Sequence, residues 1–291
     1  MPRSRRHPRN CRRCRDRQYC RKGARCRGTC RRGTCRSLRP NSAAFTLLEL
    51  LLVIAICALL FGLLLPALSK AKTKGRQLEC LNHLRQWGFA YHLYAEDQDD
   101  AVPEEGNTTL EISHTQNRVA WYNKVTPYVG ELTLVELYAK QSPPLPFSRS
   151  LFACPAAPAP SPPAFPSAAT PTFSRAYFMY GINGRLCRNR TGSGSGAPVQ
   201  RLSMVPNPSD VILQAEVDGN SPVAGVAQSN VTGQYAVGRH QRRGHFALCD
   251  GSARAIRTNE FLRTPAEAND AATEWLRART VYWYPTRTTP N

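Results

Sequence analysis

The run from Phe45 to Leu68 constrains this chain more than any other feature: 24 residues in which Glu49 is the only charge. About 20 apolar residues in a helix, at ~1.5 Å each, cross the ~30 Å hydrocarbon core of a bilayer. The run therefore reads as a transmembrane helix over residues 45–68, and the rest of the fold must be built behind it. A secretory signal has a shorter apolar core, about 7–15 residues, followed by a small-residue cleavage site. Ala67-Leu68-Ser69 imitates such a site, so ordinary signal cleavage stands as the competing reading. A carboxylate inside a membrane helix costs roughly 3 kcal/mol at mid-helix, so it usually has a partner or a task. Glu49 also lies near enough to one end to snorkel to the headgroups, and its position alone does not choose between these.

Charge separates the leader from the remainder. Residues 1–44 hold 16 Lys/Arg and one acid, Asp16, for +15, whereas the other residues hold 23 basic and 19 acidic side chains, for +4. The basic character belongs to the leader, and the globular part carries no field of the size nucleic acid requires. Basic residues before the span place the N-terminus in the cytoplasm and send the C-terminal part outward, although Lys70, Lys72, Lys74 and Arg76 soften the asymmetry. Six of the eleven cysteines also fall in the leader, with a single C-x-x-C pair, Cys11 and Cys14. Zinc needs about four ligands, usually as two close pairs, in an apolar wrapping. Residues 1–44 offer neither, and read as a disordered basic, Cys-rich leader or a start called too far upstream.

The letters around Glu49, "AFTLLELLLVIAI", resemble the N-terminus of type IV prepilins and type II secretion pseudopilins. The resemblance implies that prepilin peptidase cuts between Ala44 and Phe45 and methylates the new amine, with Ala44 standing where the family usually has Gly. Phe45 becomes the first mature residue and Glu49 the acidic fifth. Glu49 is then expected to pair with the Phe45 amine of a neighbouring subunit during assembly. Pro66 falls where the family's long helix often bends, and proline removes one backbone bond that a membrane segment can spare.

Beyond the span, residues 69–98 continue the helix as an amphipathic segment. Leu81, Leu84, Gly88, Tyr91 and Ala95 step by three and four, and Cys80, Trp87 and Tyr94 widen the same stripe. Phe89 and Leu93 form a second apolar spot off that stripe, suited to a neighbouring helix in a filament. His83 and His92 are not at metal spacing and read as surface or internally bonded histidines. Glu96, Asp97, Asp99 and Asp100 form an acidic cluster that could hold calcium, but a solvated turn after the helix is the favoured reading. No cofactor is assigned. The wording "CLNHLRQWGFAYHLYAEDQDD" resembles the large pseudopilin-like families of planctomycete and verrucomicrobial type.

Residues 99–291 are expected to form an extracytoplasmic globular domain. A proline-rich loop over 142–172, with ten Pro in 31 residues, reads as an extended excursion without a core. Its "LFACPAAP" resembles the "CP" element of the same families. "TGSGSGAP" at 191–198 reads as a flexible loop. "RAYFMYGIN" (175–183) and "DVILQAEV" (210–217) read as strands. "GHFALCDGSARAI" (244–256) reads as a hairpin whose Asp250-Gly251 suits a type I′ turn.

"RHQRRGHFALCDG" gives H-x9-D-G, which resembles the C-terminal signature of prepilin-like proteins, with His240, Asp250 and Gly251 in the matching positions. Either a His–Asp hydrogen bond that locks the hairpin or a shared ligand site using His240, His245 and Asp250 would follow, and no metal is assigned. Cys249 lacks the surroundings of a nucleophile. Cys57 falls in the span. Cys80, Cys154, Cys187 and Cys249 would meet an oxidising compartment and could form up to two disulfides of unspecified pairing.

Together the resemblance implies an α+β, pilin-like fold, with one long helix packed on a small antiparallel sheet and long Pro/Gly-rich loops. The implied function is a pseudopilin-like structural subunit of a type II secretion or type IV pilus-like filament, and not an enzyme. Its partners would be prepilin peptidase, other pilin or pseudopilin subunits, the inner-membrane assembly platform and the lipid bilayer, with no nucleic acid. It would cross the bacterial inner membrane once, with the C-terminal domain periplasmic. The alternative is a membrane-anchored module that binds a glycan or an exoprotein and is displayed on a pilin-like helix.

Overall fold

The computed structural model describes residues 46–107, 110–160, 176–187, 201–220 and 229–289. The leader and its cysteines, Ala44, Phe45, residues 161–172 of the proline-rich stretch and the Gly/Ser stretch 191–198 lie outside the described residues. The chain divides into two units, 1–59 and 60–291. Helix α1 (Leu47–Asp97) is 51 residues long, about 76 Å at the usual rise, and is assigned without a break at Pro66.

In the first unit every described residue is exposed, including the run of Leu, Val and Ile side chains. No residue in the most apolar window of α1 is buried, and the helix is long and apolar enough to cross a membrane. The helix begins with a reciprocal cap. Thr46 Oγ1 accepts from the Glu49 backbone N–H, while Glu49 Oε2 accepts from the Thr46 N–H at 2.9 Å and hydroxyl at 2.8 Å. This is the Ser/Thr-x-x-Glu capping box that satisfies orphan donors at a helix start.

In the second unit, the later part of α1 buries Cys80, His83, Leu84, Trp87, Gly88, Ala90, Tyr91 and Ala95. Six of these are the stripe that the spacing marks, while Leu81 and Tyr94 are half-buried at its edges. Phe89 stays 60% exposed, and Leu93 is half-buried. His83 is satisfied internally, with its Nδ1 2.8 Å from the Ala153 carbonyl. The sequence after α1 adds short helices α2 (Trp121–Lys124) and α3 (Leu134–Ala139). Their aromatic residues join the core, with Trp87 edge-on to Trp121 at 5.3 Å.

The sheet has five strands, β1 (Tyr180–Asn183), β2 (Ile212–Glu216), β3 (Asn230–Val231), β4 (Arg243–Leu248) and β5 (Ala253–Arg257), in the order β3-β1-β2-β4-β5. It is mixed rather than purely antiparallel, because the two-residue β3 runs parallel to β1. A Cβ at Gly181 would come within 3.0 Å of the Asn230 backbone, so β3 approaches at a position that only glycine leaves open. Three small helices, α4 (Thr258–Phe261), α5 (Pro265–Ala268) and α6 (Ala271–Glu274), follow the sheet. Fully buried Glu274 fastens this end. It accepts from Arg263 at 2.6 Å and from the backbone N–H groups of Trp283 and Tyr284.

Two local expectations are corrected. The middle of the proline-rich stretch 142–172 is not an excursion: Leu151, Phe152, Ala153, Cys154 and Ala157 are buried in the core. The polar edges of α1 hold it there, with Trp87 Nε1 donating to the Leu151 carbonyl at 3.0 Å and His83 bonded to that of Ala153. The β4–β5 turn is not type I′ either. Only Gly251 has positive φ (+80°), Gly251 N–H bonds the Leu248 carbonyl, and Leu248 N–H bonds the Ser252 carbonyl. These bonds describe a type I turn closed by a glycine bulge. The two-residue reversal with positive φ at both positions lies earlier, at Gln241 (54°) and Arg242 (64°), between His240 and Arg243.

Candidate functional site

The H-x9-D-G residues separate into two places. His240 precedes β4 and Asp250 follows it, so the six-residue strand puts roughly 20 Å between its ends. Asp250 serves its own turn, where Oδ1 accepts the Ser252 N–H at 2.9 Å. Gly251 sits against the helix. A Cβ on Gly88 would fall 2.8 Å from the Gly251 carbonyl oxygen, and a Cβ on Gly251 would meet His92 at 3.1 Å. The Asp-Gly half of the signature thus seats the hairpin turn on α1, backbone to backbone. A His240–Asp250 bond is replaced by one to Glu216.

The His240 half lies in a buried polar cluster. His240 Nε2 is 2.7 Å from Glu216 Oε1, and Glu216 Oε2 accepts the His245 backbone N–H at 3.1 Å. The Cys154 thiol lies 3.3 Å from Glu216 Oε1 and 3.8 Å from His240 Nε2. Cys80 completes the group, and one donor atom from each of Cys80, Cys154, Glu216 and His240 lies within 4.8 Å of every other. The His245 ring stacks on His240 at 4.0 Å between centroids, and its Nδ1 is 3.8 Å from Glu216 Oε1. Asp250, Cys187 and Cys249 are not members of this group, and among the described residues no two cysteines form a disulfide.

Each member arrives from a different element. Cys80 is the first buried residue of α1. Cys154 is held beside it by the His83 and Trp87 bonds to the preceding carbonyls. Glu216 ends β2, all five of whose residues are buried. His240 is set by the Gln241-Arg242 reversal, where left-handed backbone costs a non-glycine residue roughly 1–2 kcal/mol. Thr258 anchors that reversal through its N–H and hydroxyl, both bonded to the Arg242 carbonyl. Arg239 donates to the Val217 carbonyl.

Electrostatics polarises the cluster. Burial alone would push the Glu216 carboxyl up, but the His240 bond and the charges of Arg239, His240 and His245 hold it below the usual carboxylate range. Burial also works against the His240 cation, yet Cys154 and Glu216 outweigh it and raise the imidazole to about 9. For His245, burial wins, aided by the His240 and Arg239 charges, and its value falls to about 4. Burial pushes the Cys154 thiol far up, with Cys80 and Glu216 adding to it, and burial does the same to Cys249. Neither thiol has the lowered pKa and exposure of a nucleophile.

The acidic turn after α1 is partly committed to the fold. Asp97 Oδ2 accepts from the Tyr128 hydroxyl at 2.9 Å, and Asp100 Oδ2 accepts from the Ser203 N–H at 3.0 Å and from its hydroxyl. Asp99 and Asp100 both carry positive φ in this tight reversal.

A family profile described as Protein of unknown function (DUF1559) matches residues 69–221, more than half of the chain. The chain belongs to the DUF1559 family. A second profile, the prokaryotic N-terminal methylation motif, matches residues 39–65, across Ala44, Phe45 and Glu49. No curated protein and no solved structure matches the sequence. This DUF1559 protein is therefore prepilin-like: a methylation-motif start leads into one long apolar helix, which packs farther on against a small mixed sheet. Glu216, Cys80 and Cys154 were not singled out as site residues in the sequence. The one available signal for Glu216 was an acid at the end of a mostly apolar strand, since a buried charge needs a partner.

Proposed function

We propose that this chain is a pseudopilin-like structural subunit of a type II secretion or type IV pilus-like filament. The methylation motif over residues 39–65 carries the reading. It lies on the start of a helix whose leucines remain exposed within the chain. Burying one such side chain is worth roughly 1.5–3 kcal/mol, and first a bilayer and then neighbouring helices would supply that burial. Prepilin peptidase would cut between Ala44 and Phe45, with the basic leader on the cytoplasmic side of the inner membrane and the folded unit on the other. Inside the filament Glu49 would meet the Phe45 amine of the next subunit. The Glu49 cap uses Oε2 for both of its bonds to Thr46, and among the described residues no bond falls on Oε1. His240, Asp250 and Gly251 would then be structural, fixing the sheet to the helix.

The Glu49→Leu chain tests this assignment. The substitution removes an insertion cost, so membrane levels should be unchanged while incorporation into filaments drops at least tenfold in a co-assembly assay. Normal incorporation of Glu49→Leu would refute the pairing.

A further inference from the structure

The buried cluster does not look like a simple ionic fastener, and the same molecule supplies the contrast. Glu274 is fully buried and is answered by a guanidinium and two backbone N–H groups. Glu216 is equally buried, but two thiols lie beside it, and His245 Nδ1 and Arg239 Nη1 are buried without a hydrogen-bond partner. A structure that needed only to neutralise Glu216 would have no use for the sulfurs.

We propose that Cys80, Cys154, Glu216 and His240 form a closed, four-coordinate zinc site. The donor set is two sulfurs, one imidazole nitrogen and one carboxylate oxygen, the ligand types zinc takes in tetrahedral structural sites. Zinc at about 2.0–2.3 Å from each donor places the donors roughly 3.3–3.8 Å apart. Here Cys154 Sγ is 3.3 Å from Glu216 Oε1 and 3.8 Å from His240 Nε2, and no pair exceeds 4.8 Å. The 2.7 Å contact between His240 and Glu216 must open, and a pair near the 4.8 Å limit must close by about 1 Å. All four residues are buried, which leaves no open position for a substrate and makes the site structural rather than catalytic.

Charge and proton balance fit. Binding displaces the two thiol protons and the proton that His240 Nε2 shares with Glu216, and two thiolates, one carboxylate and a neutral imidazole around Zn²⁺ leave a net charge of −1. The Arg239 guanidinium, which interacts with the Glu216 charge, offsets that remainder. Glu216 Oε2 keeps the His245 backbone N–H while Oε1 faces the other donors, so the outer bond that orients the carboxylate is already in place. The metal would join α1, the Cys154 segment, the end of β2 and the turn before β4.

The test uses the full chain in detergent with its six leader cysteines replaced by serine, so that leader thiols cannot supply the signal. Elemental analysis should find about one zinc per chain. Adding Cys80→Ser or Cys154→Ser should reduce it more than tenfold, while Cys249→Ser, a buried thiol outside the cluster, should retain it. Cobalt loaded in place of zinc should give thiolate charge-transfer bands and tetrahedral visible absorption, a readout that needs no cluster variant to fold. A chain that is purified without zinc and takes up no cobalt would overturn the site. So would a Cys80–Cys154 disulfide found by differential alkylation and mass spectrometry, or iron or copper in place of zinc.

Discussion

The two ends of α1 solve the same problem in opposite ways. Between Leu47 and Leu68 the large apolar side chains remain 50% or more exposed among the described residues. From Cys80 to Ala95 the helix buries eight residues against its own domain. The composition of each end explains the difference. The first is apolar on every side, which suits a surrounding solvent that is itself apolar, whereas the second is apolar on one stripe, which suits a sheet. One continuous helix thus belongs to two environments, and only the second can be understood from a single chain.

That contrast can be broken by substitution. The largest effect is expected at Trp87, which is fully buried, edge-on to Trp121, tilted against Phe152, and bonded to the Leu151 carbonyl. Trp87→Ala should destabilise the folded unit by roughly 3–5 kcal/mol, read from urea unfolding followed by near-ultraviolet circular dichroism. The matched change in the other half, Leu59→Ala, should stay within about 0.5 kcal/mol in the same experiment. Equal losses at both positions would mean that the first half also packs on its own domain.

A smaller effect is expected where the helix receives the hairpin. Gly88→Ala drives a methyl into the Gly251 carbonyl, and overpacking of this kind costs roughly 1–3 kcal/mol. The loss should appear as a lowered unfolding midpoint with an unchanged denaturant slope. A neutral Gly88→Ala would show that the Asp-Gly turn is not seated on α1.

Legibility in the sequence followed the range of the interactions. The span, the amphipathic stripe and the strands at β1, β2, β4 and β5 rest on local periodicity, and the residues that define them are neighbours in the chain. The Thr46 capping box is equally local, with Glu49 three residues on, but an acid in an apolar run points first to a partner outside the chain. Of the buried cluster only the two histidines were legible, and its assembly with Cys80, Cys154 and Glu216 was not. Sixty-two residues separate Cys154 from Glu216, and 24 more lead to His240, so no spacing rule reaches them. His240 was recognised through a signature, but its expected companion Asp250 lies at the far end of β4, because a strand carries its two ends apart. Residues 151–157 read as an excursion because proline content marks a lack of regular structure, not a lack of burial.

The assignment as a whole rests on whether the helix is exposed by processing at one bond. Mass spectrometry of the N-terminus of the mature protein, isolated from cell membranes, reads this directly. A chain that begins at Phe45 with a methylated amine is the expected result. A chain that begins at Lys70, as ordinary signal cleavage would leave it, or one that keeps its arginine-rich leader, would contradict the account.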